Sequence, residues 1–119
     1  MESNQVLIHL NGKPVVVKDP KPGQTLIQFI REEAGLTGTK LVCGEGACGA
    51  CTVMLSRFEP LKGRVVNRAV NSCLYPLCAA DGCAVTTVEG LGATGRLHEV
   101  KARFSKMHGS QWFARSVFL

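Results

Sequence analysis

The feature that most restricts how this chain can fold is the stretch Cys43-Gly44-Glu45-Gly46-Ala47-Cys48-Gly49-Ala50-Cys51, three cysteines spaced C-x4-C-x2-C among glycines. Thiols this close make poor core residues, because they repel one another as thiolates or oxidise together, whereas a positively charged metal centre neutralises and holds them. A loop around such a centre has to bring backbone N–H groups toward sulfur. Side chains at Gly44, Gly46 and Gly49 would obstruct that approach or disfavour positive φ, so these glycines are candidate cofactor-binding positions. A fourth soft ligand must come from elsewhere, and Cys73, Cys78 and Cys83 are the remaining cysteines.

The C-x4-C-x2-C…C spacing is the one plant-type ferredoxins use for a [2Fe-2S] cluster, which makes iron-sulfur the leading expectation. N–H groups directed at the sulfurs stabilise the more negative, reduced cluster and help set its potential, near about −400 mV for plant-type centres. The competing expectation is a four-cysteine zinc module serving protein interaction. Structural zinc usually takes two C-x2-C-like knuckles, and here only Cys48 and Cys51 are so paired.

A chain of 119 residues suits one small domain with something left over. Its 45% apolar residues form no run near the ~20 needed to span a bilayer. The polar start Met1-Glu2-Ser3-Asn4-Gln5 has no leader pattern, so the chain is expected to be cytoplasmic, with its six cysteines serving as metal ligands and spare thiols rather than disulfides. The net charge of +5 is concentrated at the end. Residues 1–95 carry nine Lys and Arg against eight Asp and Glu, whereas residues 96–119 carry five against Glu99 alone. Without interleaved aromatics on a defined face, that run is the solvated surface of a helix, and no nucleic-acid partner is expected.

Along the chain, Val6–Leu10 and Val15–Val17 joined by Asn11-Gly12 predict a β-hairpin, with His9 on its surface. Asp19-Pro20-Lys21-Pro22-Gly23 breaks the strand. Thr25 with Gln28 forms a capping box for a helix whose Leu26, Phe29, Ile30 and Ala34 share a face, ended by Gly35; Arg31, Glu32 and Glu33 need no role. Thr52–Ser56, Arg64–Asn71 and Ala84–Val88 read as strands, and Leu74–Cys78 as a short buried turn. The total is about five strands and one main helix. From Arg96, a helix with Leu97, Val100, Phe104 and Met107 on one side leads to His108, a helix-end residue, and to the apolar segment Trp112–Leu119.

Cys43–Met54, Val70-Asn71-Ser72-Cys73 and Val85-Thr86-Thr87-Val88-Glu89-Gly90 resemble the amino-terminal iron-sulfur domain of the xanthine dehydrogenase and aldehyde oxidase family, the molybdenum hydroxylases. The resemblance covers residues 5–111. It implies an α+β fold, a β-grasp of the plant-type ferredoxin kind with a partial helical tail, and Cys43, Cys48, Cys51 and Cys73 as metal ligands of one [2Fe-2S] cluster. Cys78 and Cys83 then become spare thiols of the kind usually buried.

The same resemblance divides the chain into a ferredoxin-type domain, residues 5–95, and an incomplete remnant of a second, helical iron-sulfur domain, residues 96–119. Where the family continues after His-Gly-Ser-Gln with a Cys-Gly-Phe-Cys segment, this chain has Trp112-Phe113-Ala114-Arg115, and no cysteine follows Cys83. A second cluster cannot be built from these residues. The ending is expected to reflect a truncated or alternatively spliced product, or a gene-model error. FAD and the molybdenum cofactor would belong to missing domains or a partner chain.

The resulting expectation is one-electron transfer, with no catalytic residues in this chain and a flavin-containing redox partner or parent-family subunit on another chain. Besides the zinc module, the alternative is a non-functional truncated fragment. The apolar tail is expected to favour self-association.

Overall fold

The computed structural model describes residues 4–93 and, beyond them, residues 96, 97, 99, 103, 106 and 107. The Asn-Gly signal does what local chemistry requires. Asn11 (φ 51°) and Gly12 (φ 86°) supply the two left-handed residues of a tight hairpin turn between β1 (Gln5–Leu10) and β2 (Lys13–Lys18). In β1 the alternation is strict: Val6, Ile8 and Leu10 are buried, and His9 faces solvent.

The capping box forms as expected, with the Thr25 side chain accepting the Gln28 N–H and the Gln28 side chain accepting the Thr25 N–H. Helix α1 (Leu26–Gln28) widens at once into a π-helical turn, Phe29–Glu33. Gly35 (φ 72°) ends it, and the Leu36 N–H returns to the Ile30 carbonyl. Leu26, Phe29 and Ile30 enter the core with Ile8, Val53, Leu55, Leu77 and Val85. Each such side chain contributes about 1.5–3 kcal/mol of burial.

Two long strands, β3 (Thr52–Glu59) and β4 (Arg64–Asn71), pair antiparallel through the whole register from Thr52↔Asn71 to Glu59↔Arg64. A shorter β5 (Cys83–Thr86) inserts between them and the first hairpin, parallel to β1 and antiparallel to β3. The sheet order is β2-β1-β5-β3-β4, a mixed five-stranded sheet with little helix, which is the β-grasp arrangement.

Several expectations need correction. β5 stops at Thr86 rather than Val88, because the Thr87 N–H is taken by Asn11 Oδ1 and Val88–Leu91 turns into a 3-10 helix. The turn after Cys73 is not uniformly buried. Leu74 is 58% exposed, and a 3-10 turn at Leu77–Ala80 buries Leu77 and Ala80 while leaving Cys78 in solvent. Only Cys83 is the expected buried spare thiol; its sulfur accepts from Arg57 Nε at 3.1 Å.

Beyond β5, Gly92–Ala93 (β6) pairs with Arg96–Leu97 (β7), so Leu97 lies in a strand rather than on the expected helical stripe. Glu99, Arg103 and Lys106 are helical, with an exposed Glu99–Arg103 ion pair at 3.3 Å. Val100, Phe104, His108 and Trp112–Leu119 lie outside the described residues. Among the described residues no helix is long and apolar enough to cross a membrane.

Candidate metal centre

The loop from Lys40 to Cys51 leaves the helical turn and returns as β3. Its base is closed by the Lys40 N–H donating to the Ala50 carbonyl at 3.1 Å. Within it Gly44, Gly46 and Gly49 have φ of 71°, 78° and 77°, so the expected positive φ is real at all three. At Gly46 a Cβ would lie 2.7 Å from Leu74 Cδ1, the end of an exposed side chain that can move aside, so the requirement there is the left-handed backbone rather than space.

This winding turns successive N–H groups toward Cys43. Its sulfur accepts from Ala47 at 3.2 Å and from Glu45 and Cys48 at 3.4 Å, and the Cys48 sulfur accepts from Ala50 at 3.4 Å. The N–H groups of Glu45, Cys48 and Ala47 favour the thiolate and lower the Cys43 pKa from 9.0 to about 7.

Cys51 and Cys73 come together by a different route. The Thr52↔Asn71 pair ends the β3–β4 ladder, so the residues just beyond it approach each other. Ser72 then fastens the two segments, its N–H and its hydroxyl both donating to the Cys51 carbonyl, at 3.3 and 2.6 Å. The first turn of α1 binds the same segment, with the Ile27 N–H on the Ser72 carbonyl and the Leu26 N–H on the Tyr75 carbonyl. Cys51 and Cys73 are buried together in one cluster with Ile27. Burial, then the neighbouring Cys51 thiol, pushes the Cys73 pKa up.

Gly46 joins the two pairs. Its N–H favours the Cys73 thiolate, and its carbonyl accepts from Asn71 Nδ2 at 3.3 Å. Cys78 is on the surface, and Cys83 is held by Arg57. All six cysteines are free thiols. Among the described residues no three His, Cys, Asp or Glu side chains are grouped as a single metal ion would require. Cys43 with Cys48 and Cys51 with Cys73 make two thiol pairs, an arrangement that would suit a binuclear centre. Thr39 Oγ1, at the base of the loop, is the one buried side-chain polar atom among the described residues without a hydrogen-bond partner. A groove of about 480 Å³, lined by Cys48, Gly49, Ala50, Met54, Val88 and Leu91 among others, opens beside the loop.

Sequence reasoning missed Arg31, to which it gave no role. The guanidinium donates to the Thr37 and Thr39 carbonyls. Nothing in helical periodicity signals this, because the partners lie in the irregular segment after the helix.

Residues 8–78 match the 2Fe-2S iron-sulfur cluster binding domain, and the chain belongs to that family. Its relatives narrow the class. The chain is 49% identical over 111 residues to the xanthine dehydrogenase/oxidase of Rattus norvegicus, covering 93% of this chain and 8% of that protein. It is 54% identical over 107 residues to the xanthine dehydrogenase of Calliphora vicina, covering 89% of this chain and 8% of that protein. Among solved structures, quinoline 2-oxidoreductase from Pseudomonas putida 86 superposes with a TM-score of 0.73 at 34% identity, over 94% of this chain and 63% of that one. The chain is thus homologous to the iron-sulfur modules of xanthine dehydrogenases and aldehyde oxidoreductases, and spans about 8% of the length of the curated relatives it matches.

Proposed function

We propose that this chain is a one-electron carrier that holds one [2Fe-2S] cluster on Cys43, Cys48, Cys51 and Cys73 and makes or breaks no substrate bond. The observation that carries the reading is the sorting of these cysteines into two pairs, Cys43 with Cys48 on the loop and Cys51 with Cys73 beyond the end of the β3–β4 ladder. Two pairs suit two irons; a structural zinc would need four ligands around one point. When bound, the cluster supplies a centre that accepts and donates a single electron. The residues of this chain do the rest. The N–H groups of Glu45, Ala47, Cys48 and Ala50 stabilise added negative charge at Cys43 and Cys48. Gly44, Gly46 and Gly49 permit the turns that aim the loop's N–H groups, while burial excludes water from Cys51 and Cys73.

In this reading electrons pass to or from a flavin-containing partner or parent-family subunit in the cytoplasm. FAD and the molybdenum cofactor lie outside these residues, and so does any substrate chemistry. Residues 5–95 form the electron-carrying unit and residues 96–119 the incomplete start of a second iron-sulfur domain, the division falling between β6 and β7. Anaerobic purification followed by iron and labile-sulfide analysis tests the proposal. Equal amounts of iron and sulfide, about two of each per chain, are expected for this cluster type. Stoichiometric zinc without sulfide would replace it with the interaction module.

A further inference from the structure

The segment between the helical turn and the metal loop is gripped from two sides. From the helix, Arg31 donates through one guanidinium nitrogen to the Thr37 and Thr39 carbonyls, at 2.9 Å each. From the other end of the chain, one oxygen of the Glu89 carboxylate accepts the Gly38 N–H at 2.7 Å, and the other accepts the Thr87 hydroxyl at 2.8 Å. Thr87 is anchored in turn by the first hairpin, since its N–H donates to Asn11 Oδ1 at 2.9 Å and its hydroxyl oxygen accepts from Asn11 Nδ2 at 3.0 Å. Three consecutive residues therefore have a carbonyl, an N–H and a carbonyl bound by charged side chains. Gly38 must lack a side chain for this to happen, because a Cβ there would lie 2.7 Å from Glu89 Oε2 and overlap Val88.

The grip matters because the metal loop hangs from this segment. Residues 37–40 belong to no helix or strand, yet the Lys40 N–H closes the base of the metal loop on Ala50. The position of residue 40, and so of the loop carrying Cys43 and Cys48, depends on a segment fixed chiefly by side chains. Bonds to ionised partners are the stronger kind. A loop held in advance loses less conformational entropy when metal binds than one that must be ordered at that moment.

We propose that Arg31 and Glu89 are positioning residues that preset the metal loop, so that assembly and retention of a cluster on Cys43 and Cys48 depend on both. The proposal rests on the iron-sulfur reading. Its test uses the full chain reconstituted anaerobically with iron and sulfide, wild type beside R31M, R31K, E89A and the R31M/E89A double variant. A wild-type chain that takes up no sulfide removes the iron-sulfur reading and this proposal with it. A loaded wild type isolates the clamp.

A chelator should then bleach R31M and E89A about tenfold faster than wild type. R31K should fall between wild type and R31M. The double variant should bleach at about the rate of the faster single variant, because either change releases the same segment. Rates equal to wild type, or single effects that multiply in the double variant, would overturn the clamp. Amide hydrogen exchange on the metal-free chain separates positioning from folding. Protection should fall at residues 37–41 and persist in β1, and loss of protection throughout the sheet would overturn the proposal.

Discussion

Cys43 and Cys48 are held by a loop, Cys51 and Cys73 by the fold. The first pair is half-buried and owes its environment to N–H groups within a few residues, turned toward sulfur by left-handed glycines. The second pair is buried and owes its meeting to the end of the β3–β4 ladder, to Ser72 and to the first turn of α1. One side of the site is therefore chemically prepared, with a thiol already inclined to ionise. The other is sterically prepared, with the Cys73 thiol kept neutral until a positive centre replaces its proton.

The largest effect should come from the buried side. Cys73→Ser removes a thiol that no neighbour can replace, since Cys78 lies on the surface and Cys83 is bound by Arg57. Visible absorption of the reconstituted chain should vanish in Cys73→Ser and survive in Cys78→Ser and Cys83→Ser. The reverse pattern would break the pairing.

An intermediate effect is expected in pH dependence, where the two sides have opposite signs. The native pKa of Cys43 lies below its ordinary value, so the stability it contributes is present above about 9 and is lost as pH falls through about 7. The native pKa of Cys73 lies above 9.0, so its contribution is present below that pH and lost as pH climbs through the raised value. Alkylation of the metal-free chain, mapped by peptide mass, should modify Cys43 with a midpoint near 7 and leave Cys73 unmodified over the same range. Equal modification of the two would erase the distinction.

The smallest effect concerns the bridge between them. Gly46→Ala forces an L-residue to φ 78°, at a cost of about 1–2 kcal/mol. The exposed Leu74 side chain can swing away from the new methyl group, so little is added beyond the backbone term. An unfolding free energy from urea titration lowered by that amount is expected, and no change would mean that the loop does not depend on a left-handed backbone at position 46.

What could be read from the sequence was local. The Asn11-Gly12 turn, the Thr25–Gln28 capping box and the left-handed glycines of the loop each follow from residues a few positions apart. The proximity of Cys51 and Cys73, by contrast, was inferred from a resemblance, and its cause is a strand register that spacing does not reveal. The roles of Arg31 and Glu89 were illegible for a related reason, since Gly38 and Glu89 are 51 positions apart and meet only because β5 returns beside β1. Cys78 was misjudged because a free cysteine is usually buried, whereas the 3-10 turn at Leu77–Ala80 gives the interior to its neighbours.

The central claim is that two thiol pairs hold one redox-active cluster in this chain. It is tested most directly by electron spin resonance of the anaerobically reconstituted protein before and after chemical reduction. The account predicts a silent oxidised state and, after reduction, a signal integrating to about one unpaired spin per chain, as one electron added to one [2Fe-2S] cluster requires. A chain that carries its full metal content yet shows no signal on reduction would contradict it.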